Sequence, residues 1–146
     1  MTDLPGLDLD RFRDWFDRAC PGEVTGPLTA SLVAGGKSNL TYIVGDGAHE
    51  WVVRRPPLGH VLATAHDMAR EHRVMTALRD TDVPVPRTYT LCEDEDVIGA
   101  QFYVMERVHG TPYRTRAELE AIAPERTEAI SRRTVETLAA LHSVDP

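Results

Sequence analysis

The amino-acid sequence predicts an α+β fold in which a five-stranded, largely antiparallel sheet is covered by helices. Strand-like segments recur five times along the chain, and the first two show the apolar alternation that is typical of strands half-buried in a sheet. They occur in a group of three and a group of two, separated by a segment with the apolar spacing of an amphipathic helix. Because short connections within each group favour hairpins, we expect an antiparallel sheet on which helices pack. The length of 146 residues suits a single domain, for which ~100–150 residues are usual.

The first element is a helix predicted from Leu9 to Ala19. Asp8 is a residue type that caps helix N-termini with its side chain, and Pro21-Gly22 ends the helix because neither residue continues it well. Apolar residues at helical spacing form its inner face: Leu9, Phe12, Phe16 and Ala19.

Three strands are predicted next, at residues 28–34, 40–44 and 51–54. The last two are joined by Asp46-Gly47, a dipeptide typical of hairpins because glycine accepts the backbone angles that such turns require. Pro56-Pro57 ends this group, since proline has no N–H to donate to a neighbouring strand.

The middle of the chain predicts another helix and the two remaining strands. The helix runs from about Thr64 to Leu78, and the strands lie at residues 88–92 and 101–108. An acidic turn at residues 93–96 separates these strands, so the two should form a second hairpin.

The part of the chain beyond residue 112 is predicted to be helical. Thr115 and Glu118 have the spacing of a capping box, in which each side chain bonds the other residue's backbone N–H. Pro124 suits the first turn of a long final helix. One face of that helix carries Ile130, Thr134, Leu138 and Leu141.

Composition argues against several classes of function. The net charge is −7, from 16 basic and 23 acidic residues, whereas nucleic-acid-binding surfaces are basic. No segment approaches the ~20 apolar residues that cross a bilayer, and the acidic, turn-rich start lacks the features of a signal peptide. Cys20 and Cys92 lie far apart without metal-binding spacing, which is typical of reduced thiols. We therefore expect a cytoplasmic protein with no nucleic-acid or membrane partner and no metal site in this chain.

Glu71 is the most informative single residue. Met68, Met75 and Leu78 mark the inward-facing stripe of the second predicted helix, and Glu71 falls on the same stripe. A carboxylate that faces a core is costly unless a positive group neutralises it. Arg54, at the end of the preceding strand, is the nearest candidate partner by topology. The spacing alone is equally consistent with a structural ion pair or with a carboxylate that reaches the edge of the helix.

The loop between the first two strands contains residue types suited to phosphate binding: Gly35, Gly36, Lys37, Ser38 and Asn39. Glycine lets the backbone approach a ligand closely, and consecutive N–H groups can bind anionic oxygens. An ordinary hairpin turn is the simpler interpretation of this loop taken by itself. The Gly-Lys-Ser sequence also resembles part of a Walker A motif, but the first glycine of that motif is missing. A strand, instead of the required helix, follows it.

The segment from Phe102 to Gly110 is an apolar strand that runs into a polar connector ending in glycine. The backbone of such a connector can offer hydrogen-bond donors and acceptors to a planar ring, although the last strand of a sheet is the simpler interpretation. The six histidines are dispersed, and His66 and His72 are six positions apart, so they point to different sides of a helix. We expect all six at the surface or at its boundary.

Considered together, these segments resemble the N-terminal lobe of the aminoglycoside phosphotransferase family, especially the branch that is also found fused to acyl-CoA dehydrogenases. The resemblance covers about residues 25–145 and depends on the order of the motifs more than on any one of them. The matching motifs are G-G-K-S-N-L-T-Y (35–42), V-V-R-R-P-P (52–57), A-H-D-M-A-R-E-H-R-V-M (65–75), V-P-V-P-R (83–87), F-Y-V-M-E-R-V-H-G (102–110) and A-A-L-H-S-V-D (139–145).

This resemblance implies a protein-kinase-like fold that binds ATP between two lobes. Residues 1–108 would form the nucleotide-binding N-terminal lobe together with an N-terminal helix. Residues 109–146 would form the hinge and the start of a truncated helical C-terminal lobe. The glycine loop, residues 35–39, would lie over the phosphates.

The resemblance also implies roles for individual residues. Arg54 occupies the place of the phosphate-binding lysine of protein kinases, paired with Glu71 on the helix. Met105 would border the adenine pocket, and the backbone of Glu106 and Val108 would hydrogen-bond the adenine edge. Arginine is a planar fork, whereas lysine is a compact charge, so arginine at this position is a departure in chemistry.

The chemistry of the family lies in a C-terminal lobe, where a His-Gly-Asp loop supplies the base and a magnesium ligand. This sequence contains no His-Gly-Asp, and phosphoryl transfer depends on positioning and metal-borne charge. We therefore assign no catalytic residue to the chain and expect Mg²⁺ only when a C-terminal lobe is supplied. The chain would be a fragment or split gene product, or a second chain would complete the site.

The sequence leaves two main functions open. The first is the ATP-binding lobe of a phosphotransferase that moves the γ-phosphate of ATP to a hydroxyl of a small molecule and is inactive alone. The second is a non-catalytic nucleotide- or partner-binding module, a degenerate kinase lobe that self-associates through the Ile130 and Leu138 face. An unrelated α+β interaction domain is a third, less specific interpretation.

Overall fold

The computed structural model describes residues 4–33, 38–59 and 65–146. Within them the chain forms four helices and five strands, so the predicted α+β class is confirmed. The helices are α1 (Leu9–Ala19), α2 (Met68–Leu78), α3 (Arg116–Glu120) and α4 (Pro124–His142). The strands are β1 (Thr29–Leu32), β2 (Leu40–Gly45), β3 (Glu50–Arg55), β4 (Thr88–Cys92) and β5 (Phe102–Glu106).

The five strands form one sheet in the order β1-β2-β3-β5-β4, and every neighbouring pair is antiparallel. The predicted antiparallel sheet is therefore confirmed. Two strands are shorter than predicted: β1 is shorter than the segment predicted at residues 28–34, and β5 is shorter than the segment predicted at residues 101–108. β5 ends where Glu106 pairs with Trp51 near the start of β3, so its last predicted residues have no strand partner.

α2 begins at Met68, four residues later than the predicted start at Thr64, which lies outside the described residues. The reason is a cap at Asp67. The Asp67 carboxylate accepts the backbone N–H of Arg70 at 2.9 Å, which is the bond that a helix N-cap supplies.

α1 packs on one face of the sheet through aromatic residues. Phe12 and Phe16 are completely buried, and the Phe16 ring meets the Trp51 ring edge-on with 5.5 Å between centroids. The Phe12 ring lies 6.0 Å from that of Phe102 on β5. Each buried side chain of this size stabilises the fold by about 1.5–3 kcal/mol. The predicted inner face of α1 is confirmed at these two residues.

The opposite face of the sheet carries a different set of side chains, because successive residues of a strand point to opposite faces. Trp51 and Val53 belong to the α1 core, so Arg54 lies on the other face. Arg54 and Tyr103 are direct cross-strand partners. α2 covers this second face, where Met68 is only 1% exposed.

A buried carboxylate organises the β2–β3 hairpin. Asp46 accepts the backbone N–H groups of Thr25 at 2.7 Å, Ala48 at 2.9 Å and His49 at 2.7 Å. These hydrogen bonds, led by the one from Thr25, hold the pKa of Asp46 well below its usual range. Gly47 has a φ of +90°, which glycine adopts without steric cost. The predicted Asp46-Gly47 hairpin is confirmed, with Asp46 as its anchor.

Arg55 points into the α1 side of the sheet and is only 4% exposed. Its Nη1 donates to the carbonyl oxygens of Gly6 and Ile98, both at 2.8 Å, and its Nε donates to that of Pro56 at 3.0 Å. Burial lowers the pKa of the Arg55 guanidinium from its usual value. The side chain therefore ties the segment before α1 and the β4–β5 connection to the end of β3.

The chain divides into two compact units by its internal contacts. The first comprises the described parts of residues 1–77 together with residues 86–107, and the second comprises residues 78–85 and 108–146. The first unit holds the whole sheet, α1 and nearly all of α2. The domain boundary after residue 108 that the family resemblance implies stays a prediction.

The second unit consists mainly of α3 and α4. Thr115 and Glu118 form the predicted capping box at the start of α3, and Pro124 occupies the first turn of α4, so both predictions are confirmed. The Thr127 hydroxyl donates to the Leu119 carbonyl oxygen at 3.0 Å and links the two helices. Large apolar side chains of α4 remain exposed: Val135, Leu138 and Leu141. Within the described ranges, none of the four helices combines the length and the apolar character that crossing a bilayer demands.

Candidate functional site

Arg54 and Glu71 meet on the α2 side of the sheet. The Arg54 Nε atom lies 3.0 Å from the Glu71 Oε2 atom, so the ion pair predicted from the spacing is present. Glu71 stands three residues after the buried Met68, which places both side chains on the sheet-facing side of α2. A carboxylate that faces the core is expected to be buried. In this pair, however, about a third of each side chain is exposed.

Two further donors hold the Glu71 carboxylate. The Tyr103 hydroxyl donates to Oε2 at 2.9 Å, and the Asn39 side-chain amide donates to Oε1 at 3.2 Å. Three different segments therefore converge on Glu71: β3 through Arg54, β5 through Tyr103, and the residue just before β2 through Asn39. This number of contacts fixes the position of the carboxylate.

The contact between Arg54 and Glu71 uses the inner nitrogen of the guanidinium. Although Nε lies within ion-pair distance, its N–H is not aligned on the carboxylate, and among the described residues it has no hydrogen-bond partner. The interaction is therefore one of charge rather than of an aligned hydrogen bond. A lysine presents only one nitrogen, whereas an arginine that meets Glu71 through Nε carries two more nitrogens at the end of its fork.

Tyr103 remains protonated beside this ion pair. Burial, followed by the hydrogen bond to Glu71 and the negative charge of that carboxylate, raises the pKa of Tyr103 well above its usual value. The nearby Arg54 charge opposes this shift only in part. The hydroxyl therefore acts as a constant donor to Glu71 throughout the physiological pH range.

A cavity of about 460 Å³ adjoins the ion pair on the α2 side of the sheet. Met105, the residue that the resemblance places at the border of the adenine pocket, lines the same cavity as Arg54 and Glu71. Most of its surface is apolar, and the lining residues are Arg54, Arg70, Glu71, Val74, Met75, Pro86, Tyr103 and Met105.

The structure accounts for only part of the predicted glycine loop. Gly35, Gly36 and Lys37 lie outside the described residues, and their role stays a prediction. Ser38 is exposed. Asn39 is 9% exposed, and its side chain is committed to Glu71.

The predicted adenine contacts of the Glu106 and Val108 backbone stay predictions. The Glu106 N–H already donates to the Arg87 carbonyl oxygen at 2.7 Å, so a contact of Glu106 with adenine is left to its carbonyl group. Val108 belongs to the second unit and is 65% exposed. Its contact with adenine stays a prediction.

Two residues of this site were missed at the level of sequence. Tyr103 could have been found by pairing the predicted strands, since it faces Arg54 directly. His66 is half-buried, which agrees with the expectation that the histidines lie at the surface or at its boundary. Its Nδ1 atom nevertheless lies 2.6 Å from the Asn39 Oδ1 atom, a contact that no local pattern predicts.

Residues 29–146 match the model of a protein family that is described as the phosphotransferase enzyme family. This chain belongs to that family of phosphotransferases. The resemblance to the aminoglycoside phosphotransferases that the ordered motifs indicated is thereby confirmed.

Relatives of the chain include proteins that are several times longer. It is 41% identical over 118 residues to human acyl-CoA dehydrogenase family member 11 and 40% identical over 121 residues to mouse acyl-CoA dehydrogenase family member 10. The aligned parts cover 81% and 83% of this chain but only 15% and 11% of those two relatives. The chain thus spans a small fraction of the curated relatives that it matches.

Solved structures confirm the kinase-like fold. A crystal structure from Ralstonia eutropha, assigned to the aminoglycoside phosphotransferases, superimposes with a TM-score of 0.77 and is 36% identical to this chain. The match covers 94% of this chain and 39% of that one. A microcompartment-associated aminopropanol kinase matches with a TM-score of 0.50 at 21% identity, which supports the fold alone.

Proposed function

We propose that this chain is the ATP-binding lobe of a phosphotransferase and that Arg54 binds the phosphates of the nucleotide. One observation carries the proposal: Glu71 is held by Tyr103 and Asn39 and in turn holds Arg54 in a contact that is one-third exposed. Arginine forks bind phosphate oxygens through two parallel N–H groups. A partly exposed arginine whose carboxylate partner is held by two other side chains is suited to that task.

The exposure of the pair argues for a role in binding rather than in stability. Ion pairs that remain accessible to solvent contribute only about 0–1 kcal/mol to folding, which does not require two hydrogen-bond donors beside a guanidinium around one carboxylate. The same donors have an evident purpose if Glu71 must hold Arg54 in a constant position while a triphosphate arrives, because pre-positioned charges bind an anion without further ordering. Family membership points to the same chemistry.

The transfer step requires groups beyond those of this site. Among the described residues, no group of three or more His, Cys, Asp or Glu side chains is placed to hold a metal ion. Phosphoryl transfer relies on metal ions that neutralise the moving phosphate. We therefore assign nucleotide binding to this chain. A helical C-terminal lobe then supplies the Mg²⁺ ligands, the base and the site for a small hydroxyl compound, so the chain alone is inactive.

A non-catalytic module is the competing proposal, and the exposed apolar residues of α4 favour it. Val135, Leu138 and Leu141 are each at least 43% exposed, and such a stripe is suited to a partner helix. In its partner-binding form the chain should associate with increasing concentration in sedimentation experiments and should bind ATP no better than adenosine.

Equilibrium titration with Mg-ATP and with adenosine tests the proposal. The wild-type chain should bind ATP more tightly than adenosine. Arg54→Ala should weaken ATP binding about tenfold or more, since hydrogen bonds to charged groups contribute about 1.5–3 kcal/mol, and should leave adenosine binding unchanged. Arg18→Ala on α1 is the matched control for the lost charge. Equal ATP affinity of the wild type and Arg54→Ala would remove Arg54 from the site.

A further inference from the structure

The side-chain amide of Asn39 bridges two residues at the start of α2. Its Nδ2 atom donates to Glu71 Oε1 at 3.2 Å, and its Oδ1 atom lies 2.6 Å from His66 Nδ1. Asn39 is 9% exposed and directly precedes β2. The amide therefore links the beginning of a central strand to both sides of the Asp67 cap of α2.

The direction of each hydrogen bond follows from the chemistry of the groups. An ionised carboxylate only accepts hydrogen bonds, so the amide must turn its NH₂ toward Glu71 and its oxygen toward His66. An amide oxygen likewise only accepts, so the facing nitrogen of the imidazole must carry the proton. The contact therefore requires the His66 tautomer in which Nδ1 is protonated.

The bridge orients the amide as well as anchoring it. An asparagine side chain that is rotated by 180° would place its oxygen against the Glu71 carboxylate, and two acceptors repel each other. His66 disfavours that rotation because an Nδ1–H cannot bond to an NH₂ group. The imidazole thus keeps the N–H of Asn39 directed at Glu71.

We propose that Asn39 and His66 are positioning residues that hold Glu71, and through it Arg54, in the geometry required to bind the phosphates of a nucleotide. The proposal rests on the nucleotide-binding function given above. It assigns Asn39 a role in the placement of Arg54 instead of direct contact with phosphate. Neither residue touches the nucleotide in this account, so neither is a catalytic residue.

Two substitutions of His66 form a matched pair that tests the bridge. His66→Asn places a side-chain NH₂ where Nδ1 stands and keeps the donor, whereas His66→Gln shifts the polar group to the position of Nε2 and removes it. In titrations of the full chain with Mg-ATP, His66→Gln should weaken binding about three- to tenfold, the value of one lost hydrogen bond. His66→Asn should stay within about twofold of the wild type. Equal affinities of the two variants would overturn the proposal.

A double-substitution cycle separates positioning from general stabilisation. If His66 acts through Glu71 on Arg54, His66→Gln should have no further effect on ATP affinity in an Arg54→Ala chain, because coupled residues are not additive. A merely structural role would reduce affinity in both backgrounds, and that result would also overturn the proposal.

The imidazole nitrogen signals provide a test that does not depend on nucleotide binding. Nitrogen-15 NMR of neutral His66 should show a protonated Nδ1 in the wild type and a shift toward the Nε2-protonated form in Asn39→Ala. An Nε2-protonated imidazole in the wild type would contradict the bridge even if ATP binds. If the wild type binds no ATP at Arg54, the proposed function fails instead, and the NMR result then decides whether the bridge exists.

Discussion

Arg54 and Arg55 are neighbours in the sequence, yet their side chains lie on opposite faces of β3 in different environments. Arg55 is 4% exposed and donates to the backbone carbonyl oxygens of three segments. Arg54 lies on the other face of β3 and is about one-third exposed, and among the described residues it meets the Glu71 carboxylate through Nε without an aligned hydrogen bond. The fold thus holds one arginine by three hydrogen bonds to backbone carbonyl oxygens and the other by the charge of one carboxylate within the described part of the chain.

This difference shows how a strand can separate structure from binding within two residues. The pleat of β3 sends adjacent side chains to opposite faces, so one face can be closed by α1 while the other holds a partly exposed charge. Backbone carbonyl groups suit a structural arginine because the fold fixes their positions. A carboxylate on α2, held by Tyr103 and Asn39, suits an arginine that must also receive a ligand.

The comparison predicts its largest effect for loss of the structural arginine. Arg55→Met should lower the free energy of unfolding by about 2–4 kcal/mol, because the Gly6 and Ile98 carbonyl oxygens lose their buried donor. Urea denaturation monitored by circular dichroism measures this change. Arg18→Met on α1 is the control and should change stability by less than about 0.5 kcal/mol. An Arg55→Met chain as stable as that control would show that the buried guanidinium is dispensable.

The second prediction concerns Asp46, a carboxylate that, like Arg55, is held by several hydrogen bonds to the backbone. Its pKa is held below the usual value of 3.8 by hydrogen bonds that only the ionised form can accept fully. Its contribution to stability is thus complete above about pH 5, beyond the unfolded-state pKa, and is lost progressively as the pH falls below that value. Asp46→Asn should destabilise the chain at pH 7 and flatten the loss of stability between pH 5 and pH 2.

Denaturation at a series of pH values tests this prediction, with Asp80→Asn as the control at an exposed position. A wild type and an Asp46→Asn variant with the same acid dependence would show that the hairpin carboxylate does not set it.

The third and smallest effect is expected for Tyr103, which helps to hold Glu71 beside Arg54. Tyr103→Phe removes one donor from Glu71 and should cost about 0.5–1.5 kcal/mol of stability, with a loss of ATP affinity of about two- to fivefold. Tyr89→Phe is a suitable control, because the Tyr89 ring packs against Phe16 of the α1 core. If both hydroxyl deletions affected ATP binding equally, Tyr103 would have no special part in positioning Glu71.

The sequence predicts the elements well where local signals determine them. α1 has the predicted ends because Asp8 caps it and Pro21-Gly22 ends it. The ion pair with Glu71 was also predictable, because helical spacing put the carboxylate on the inner stripe of α2 and topology placed Arg54, at the end of the preceding strand, nearby.

Other features depend on contacts between distant segments. The apolar residues of β3 occupy both faces of the sheet, so alternation alone did not show which face each arginine would take. The bridge from Asn39 to His66 joins residues 27 positions apart, and it arises only when β2 and the start of α2 meet. The partial exposure of the ion pair also depends on how α2 and the sheet meet, so the helical spacing of Glu71 alone predicted a core environment instead.

Thermal unfolding of Arg54→Met and Arg55→Met, with and without saturating Mg-ATP, tests the central claim most directly. We predict that ATP raises the melting temperature of the wild type by about 5–10 °C. Arg54→Met should melt within about 4 °C of the wild type without nucleotide and should gain clearly less from ATP than the wild type does, whereas Arg55→Met should melt about 6 °C or more below the wild type. An Arg54→Met chain that melts far below the wild type and still gains the full increase from ATP would contradict the account.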